Sequence, residues 1–391
     1  MHRLGFALIG ILLAGLTGGC GTPDQDFKEA DLAPLGLNVY WQVPIPLADG
    51  DRVKELYLLD ENLYLLTEKN WLIGVNAKNG MPTRIRHQVT NIDEPVFDPF
   101  HPAAPAELRL PDPEDPSKKI TKLIEPVMIN TMHRLKAIDR ATGELVRDLD
   151  LPFAAASGGA SDGKSFFCGS TSGLYHAINL DSGVERWKKY TADAVRSPAR
   201  YHDGKVYVAS RDGTLYVSMV KEYGQKQWSQ DLGSAVTAPI HVDERAVFVP
   251  AIDGRIHAFE LSGGQPLWQP YACDGPLTQG IQVGDNLIFQ YADEAEFYAV
   301  DIYTGSLVWA SPKGRRVVAV LDSDVFLLDA DGNIQIVVER GGEVKASVPL
   351  RSFAAFAANT KVPAVYAAKA DGHLYCLRPP TAEKLTPESL R

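Results

Sequence analysis

The 391-residue sequence has no stretch with convincing helical periodicity. Apolar residues alternate or fall in short runs, which excludes helical bundles and points to strands. It also lacks a disulfide framework. Four cysteines are present; Cys20 stands near the N-terminus, and Cys168, Cys273 and Cys376 form an odd set without metal-ligand spacing. These three read as small buried hydrophobes. Positive charge is in deficit, with 39 Lys and Arg against 49 Asp and Glu, a net of −10. That balance argues against nucleic acid or an anionic membrane surface as the main electrostatic partner. The nine histidines show no metal spacing, and no serine sits in a Gly-x-Ser-x-Gly elbow. Neither metal chemistry nor nucleophilic hydrolysis has local support.

What is present is a repeat. Ala299 to Trp309 reads as a strand ending at Asp301, a turn at Thr304-Gly305 and a second strand closing on Trp309. The phrase returns at Ala177 to Trp187 and Ala258 to Trp268, and more loosely with Gly224 and Trp228. Trp187, Trp228, Trp268 and Trp309 are spaced by 41, 40 and 41 residues. A period near 40 built from strands indicates propeller blades or a solenoid. Seven turn glycines follow it: Gly80, Gly143, Gly183, Gly224, Gly264, Gly305 and Gly342. Asp-Gly pairs at Asp212-Gly213, Asp253-Gly254 and Asp331-Gly332 mark a hairpin inside each repeat. Asp329-Ala-Asp331-Gly-Asn333 also resembles the start of a calcium loop, but its twelfth position is Arg340 rather than Glu, so the turn reading is preferred.

The chain begins and ends on incomplete repeats. Asn38 to Pro44 reads as a closing strand without a beginning, and Val365 to Leu377 as a beginning without a closing strand. Joined, they make one blade. The expected fold is therefore all-β: an eight-bladed propeller of four-stranded antiparallel blades, closed by the N-terminal strand, which leaves no long free sheet edge. Residues 1–19 read as a lipoprotein-type signal peptide, 20–35 as a tether, 36–379 as the propeller and 380–391 as a polar tail. The period breaks once, between Gly80 and Gly143, which lie 63 residues apart. The excess, about 87–122 in blade 2, is Pro-rich and is expected to be functional or disordered.

Leu4 to Leu16 is too short to span a membrane. With Thr17-Gly18-Gly19-Cys20 after it, the segment resembles a bacterial lipobox, in which Cys20 would be acylated; Thr17 stands where that family usually has Leu. An ordinary secretory signal is the alternative. The Ala-x-Asp-x-x-Thr-Gly-x-x-x-Trp phrase resembles the repeat of the pyrroloquinoline-quinone (PQQ) dehydrogenase propellers. That resemblance implies that Trp187, Trp228, Trp268 and Trp309 dock between adjacent blades. Blades 2, 7 and 8 are read as lacking the Trp, with Arg147 or Lys345 near its place. The enzymes of that family use a vicinal Cys pair, a catalytic Asp and Glu, Asn and Asp calcium ligands. The sequence has no Cys-Cys pair and no acidic cluster repeated across blades.

A lipobox, a tether and eight such blades together resemble the BamB type of outer-membrane lipoprotein. That resemblance implies a monomeric, non-enzymatic scaffold facing the periplasm, without cofactor, catalytic residue or metal, that binds membrane-associated proteins. A PQQ-dependent dehydrogenase and a ligand- or polysaccharide-binding propeller remain alternatives. Candidate partner contacts are Val96, Phe97 and Phe100 in the insertion, and Arg196 and Arg315, which share a register just before an inner strand with Lys54 comparable in blade 1.

Overall fold

A computed structural model describes residues 28–380. Eight antiparallel blades follow one another around a central channel. Blade 1 is built from Val53–Leu59, Asn62–Thr67, Trp71–Asn76 and Pro82–Gln88, numbered outward from the channel. Blades 3 to 7 repeat that order of four strands, beginning at Ala155–Ser161, Arg200–His202, His241–Val242, Gln282–Val283 and Gly314–Leu321. Blade 8 takes three strands from the C-terminal part, Ala355–Phe356, Val365–Ala368 and His373–Arg378. Its outermost strand is Asn38–Pro44, paired along the whole of His373–Arg378. The ring is closed by its N-terminal strand.

Blade 2 departs from the pattern. Pro126–Asn130, Arg134–Asp139 and Leu145–Asp150 form three of its strands. The innermost position is filled by residues 96–100, through bridges from Val96 to Thr131 and Phe100 to Met128. The Phe97 amide donates to Asn130 O at 3.0 Å and the Phe100 amide to Met128 O at 2.9 Å. Between that strand and the second one the chain runs out into a hairpin, Ala106–Pro111 with Lys119–Ile124. The Pro-rich excess is thus an inner strand plus a hairpin. His87 lies in the outermost strand of blade 1, so the insertion begins later than the sequence suggests.

The hydrophobic core is a ring of eight clusters, each straddling two neighbouring blades. This follows from strands that are apolar on both faces, such as Ser165–Ser170 and Asn62–Thr67, every residue of which is buried. Five of these interfaces are locked at the rim by a tryptophan. The Trp268 ring lies against Gly305 of the next blade, and its indole N–H donates to Ile302 O at 3.2 Å. Trp309 lies against Gly342 and donates to Glu339 O at 2.7 Å; Trp187 and Trp228 lie against Gly224 and Gly264. Only glycine fits there. Gly305 has φ +68°, and a Cβ on it would stand 2.5 Å from the Trp268 ring. Burying a ring of roughly 150–250 Å² at about 25 cal/mol/Å² stabilises an interface by ~4–6 kcal/mol, an upper estimate.

Blade 8 does carry the tryptophan: Trp41, supplied by the N-terminal strand, packs on Gly80 and donates to Ala77 O at 3.1 Å. Trp41 follows Gly36 much as Trp187 follows Gly183, but blade 8 reads as lacking it because the rest of that blade lies more than 300 residues on. Part of the expected tether is also structured. Glu29–Leu35 forms a 3-10 helix ending at Gly36, and Leu32 and Leu35 are buried against blades 7 and 8. Among the described residues no helix is long and apolar enough to cross a membrane.

Trp268→Ala or Trp309→Ala should each cost about 3–5 kcal/mol in denaturant unfolding, whereas Trp71→Ala should cost less. Trp71 is only half-buried, with the Arg86 guanidinium 5.6 Å from its ring centroid. Equal small losses at all three would remove the docking role. Deleting residues 28–44 should abolish the cooperative melt, because it uncovers the edge of His373–Arg378 and the buried Tyr366 and Cys376 beneath it. A melting temperature close to that of the full chain would contradict closure.

Candidate functional site

Two regions of the described chain depart from the repeating scaffold: the hairpin of blade 2 and the central channel. The hairpin leaves from the end of the propeller where each innermost strand finishes, and it is held there by blade 3. The Glu107 amide donates to Gly163 O at 3.2 Å, and Ala106 and Leu108 are buried in the cluster between blades 2 and 3. Asp181, in the turn before the outermost strand of blade 3, receives the Arg109 amide at 2.7 Å, the Arg109 Nε at 2.5 Å and the Arg147 guanidinium at 2.6 Å. Burial opposes ionisation, but these donors outweigh it and hold the Asp181 carboxyl at about 2. A second anchor lies at the base of the hairpin. His101 Nδ1 meets Asp60 Oδ2 at 2.6 Å, its Nε2 meets the Tyr64 hydroxyl at 2.9 Å, and Arg140 lies beside it with Glu125. Burial lowers the His101 pKa, partly countered by Asp60, and burial raises that of Tyr64. The Tyr64 phenol is fully buried, so this Asp–His–Tyr array joins blades 1 and 2 rather than presenting a nucleophile.

The channel encloses a cavity of about 580 Å³ lined by inner strands of blades 1, 2, 5, 6, 7 and 8. Its charged lining is Lys54, Glu55, Asp98, Arg315 and Arg316. Burial raises the Glu55 pKa, against the opposing field of Arg316. The Tyr57 hydroxyl donates to Asp98 Oδ1 at 2.8 Å. Neighbouring inner strands are tied together across the blades: Arg200 Nε donates to Ile240 O at 2.9 Å and Arg316 to Phe356 O at 2.7 Å. Donor and acceptor are 40 residues apart in both cases, which places each acceptor one blade on. These guanidinium ties were missed in the sequence because single arginines in different blades show no motif.

The cavity does not fit a quinone–calcium centre. Two carboxylates face it, one already bonded to Tyr57, and no group of three His, Cys, Asp or Glu capable of holding a metal occurs among the described residues. Asp329 caps a turn, accepting from the amides of Asp331 and Asn333 and from the Asn333 and Gln335 side chains. Cys168, Cys273 and Cys376 are unpaired and buried. His176 is bonded to Glu185 and stacked on Phe153, and His257 lies in a core strand.

The candidate partner residues fall in three places. Val96, Phe97 and Phe100 are half-buried in the inner strand of blade 2; Phe100 stacks on Phe166 at 5.9 Å, and Val96 lines the channel. Arg196 is exposed at the start of blade 4 and makes no hydrogen bond or ion pair among the described residues. Arg315 borders the channel in blade 7, bonded to Gly314 O and lying 4.5 Å over the Tyr291 ring. Both arginines stand where inner strands begin, at the end opposite the hairpin, and they are three blades apart. Cys20 lies outside the described residues.

Asp181 supplies a pH test. Its folded pKa lies below the ordinary aspartate value, so its contribution is complete above about pH 4 and is lost as pH falls through about 2. Hydrogen-exchange protection of residues 106–124, relative to the other blades, should weaken across that window. Asp181→Asn should show the weakened state already at pH 7, with no further loss on acidification. Identical protection in both proteins at every pH would mean that Asp181 does not hold the hairpin.

Comparison with solved structures gives the same architecture. The crystal structure of BamB from Moraxella catarrhalis matches with a TM-score of 0.64 at 14% identity, covering 89% of this chain and 99% of that one. The computationally designed Ika8 protein matches with a TM-score of 0.59 at 17% identity, covering 83% of this chain and 96% of that one. These likenesses concern the fold. Comparison with curated protein sequences finds no match. The family model described as outer membrane protein assembly factor BamB matches residues 131–221 and 216–377, from blade 2 to blade 8. With more than half of its length matched, this PQQ-like repeat propeller belongs to the family described as outer membrane protein assembly factor BamB.

Proposed function

We propose that the protein is a non-enzymatic scaffold of the cell envelope, acylated at Cys20, held at the outer membrane facing the periplasm, and binding proteins involved in outer-membrane protein assembly. The observation that carries this reading is the family match over blades 2 to 8. The chemistry of the channel agrees with it, since Asp98 accepts from Tyr57 and both Arg315 and Arg316 donate to backbone carbonyls. A rigid ring offers partners its two ends and its insertion, where loops can vary without disturbing the blades. Of the candidate contacts, Arg196 is free to meet a partner, and Arg315 could add to it from across the mouth. Together they would steer an acidic protein surface wide enough to cover the channel opening. Val96, Phe97 and Phe100 would act indirectly, by holding the inner strand from which the hairpin springs.

Crosslinking pulldown from native membranes tests this. Arg196→Glu with Arg315→Glu should reduce capture of the partner by roughly tenfold, the scale of losing about 1.4 kcal/mol of binding, while leaving the melting temperature nearly unchanged. Capture of the same proteins in the same amounts would move the contact elsewhere. Saturable binding of PQQ with calcium would favour the enzyme alternative instead. Mass spectrometry of the native N-terminus checks the anchor: Cys20 should carry acyl chains, and Cys20→Ser should release the protein from membranes.

A further inference from the structure

We propose that the hairpin end of the propeller rests on the lipid bilayer, with a ring of exposed apolar side chains at headgroup level. This rests on the acylation of Cys20 proposed above. Three independent features point to it: where the chain enters the fold, how short the leader is, and where the exposed apolar residues stand.

The chain enters at the hairpin end. Asn38 pairs with Arg378, the last residue of its neighbour strand, so the outermost strand of blade 8 starts there. Just before it, the helix Glu29–Leu35 is pinned to blades 7 and 8 by Leu32 and Leu35. Lys28 lies eight residue steps beyond Cys20, a reach of at most about 26–29 Å. Strands of six residues make the disc roughly 20 Å thick. An acyl group at Cys20 therefore lets the hairpin end, where the chain enters, rest on the lipid, and in that orientation the opposite end, with Arg196 and Arg315, faces away.

The exposed apolar residues are distributed unevenly between the two ends. Of the large apolar side chains that the described residues leave exposed, all but Tyr40, Ile92 and Tyr190 stand at the hairpin end. Blades 1 to 7 each contribute at least one from the turn leading into, or the start of, the outermost strand: Met81, Leu145, Val184, Tyr223, Leu267, Leu307 and Val344. In blade 8 that place is taken by the entering chain. The hairpin adds Leu123, 69% exposed. One side chain per blade, spread around a rim, does not form the clustered centre that protein interfaces depend on. It does suit shallow insertion around a flat ring, where tyrosine and aliphatic side chains favour the boundary between headgroups and acyl chains. Each insertion is weak alone, but the acyl anchor raises the local concentration of the surface, so weak contacts suffice. The net charge of −10 selects zwitterionic headgroups over anionic ones.

The test uses full-length acylated protein in vesicles of phosphatidylethanolamine and phosphatidylcholine with brominated chains. Cys168, Cys273 and Cys376 are buried, so single surface cysteines can be labelled selectively with a fluorophore. Val184→Cys, Leu307→Cys and Val344→Cys report on the rim, and Tyr190→Cys, at the end of an outermost strand, on the opposite end. The rim labels should be quenched roughly twofold or more by the brominated lipid, and the Tyr190 label should not. Vesicle flotation with all four labels unquenched would overturn the proposal while leaving the anchor intact. Failure to float would overturn both. Rim labels that become shielded only when native membrane proteins are added would identify the rim as a protein contact and likewise overturn the proposal.

Discussion

The fold depends on one repeated contact, an indole ring laid on a glycine of the next blade. A single four-stranded blade has two apolar faces and cannot bury either alone. Each of the eight clusters becomes a core only when a neighbour closes over it. The Trp–Gly contact sets the distance and angle at which that happens, because a left-handed glycine is the residue that admits the ring and turns the chain at the same point. The first and last interfaces are joined by Trp41, so the N-terminal strand completes the ring of contacts as well as the sheet.

Where the pattern lacks tryptophan, the substitutes are informative. Arg84 meets Gly143, and Leu149 reaches toward Gly183, so these two interfaces have no indole at the rim. They flank blade 2, and there the extra anchors occur: His101 with Asp60 and Tyr64 on one side, Asp181 with Arg109 and Arg147 on the other. The insertion thus reinforces two of the interfaces where an indole is missing. A hairpin added to a surface loop costs little in chain entropy, and this one returns polar and apolar contacts to both neighbours.

The blade count, the closing strand and the docking glycines were legible because they recur at a fixed spacing. Trp41 follows Gly36 much as Trp187 follows Gly183, yet blade 8 reads as lacking its Trp since that blade is split between distant parts of the chain. The insertion was only half legible. Prolines at 95, 99, 102 and 105 read as loop, yet 96–100 pairs as an inner strand, because three of those prolines lie outside it and Pro99 sits between its two bridges. Leu32 and Leu35 looked like tether because two leucines in a polar stretch have no period, and their burial comes from blades 7 and 8, far along the chain. The channel arginines carried no local signal; their acceptors lie one blade on, and a motif cannot register a partner 40 residues distant.

The functional reading assigns the two ends of the disc different tasks, one toward the lipid that anchors the chain and one toward a protein partner. Photo-crosslinking in native membranes tests that division directly, with a photoreactive residue placed at Val344 on the hairpin end or at Arg196 on the other. Lipid adducts at position 344 and a discrete protein adduct at position 196 are the expected result. Protein adducts confined to position 344, with none at 196, would contradict it.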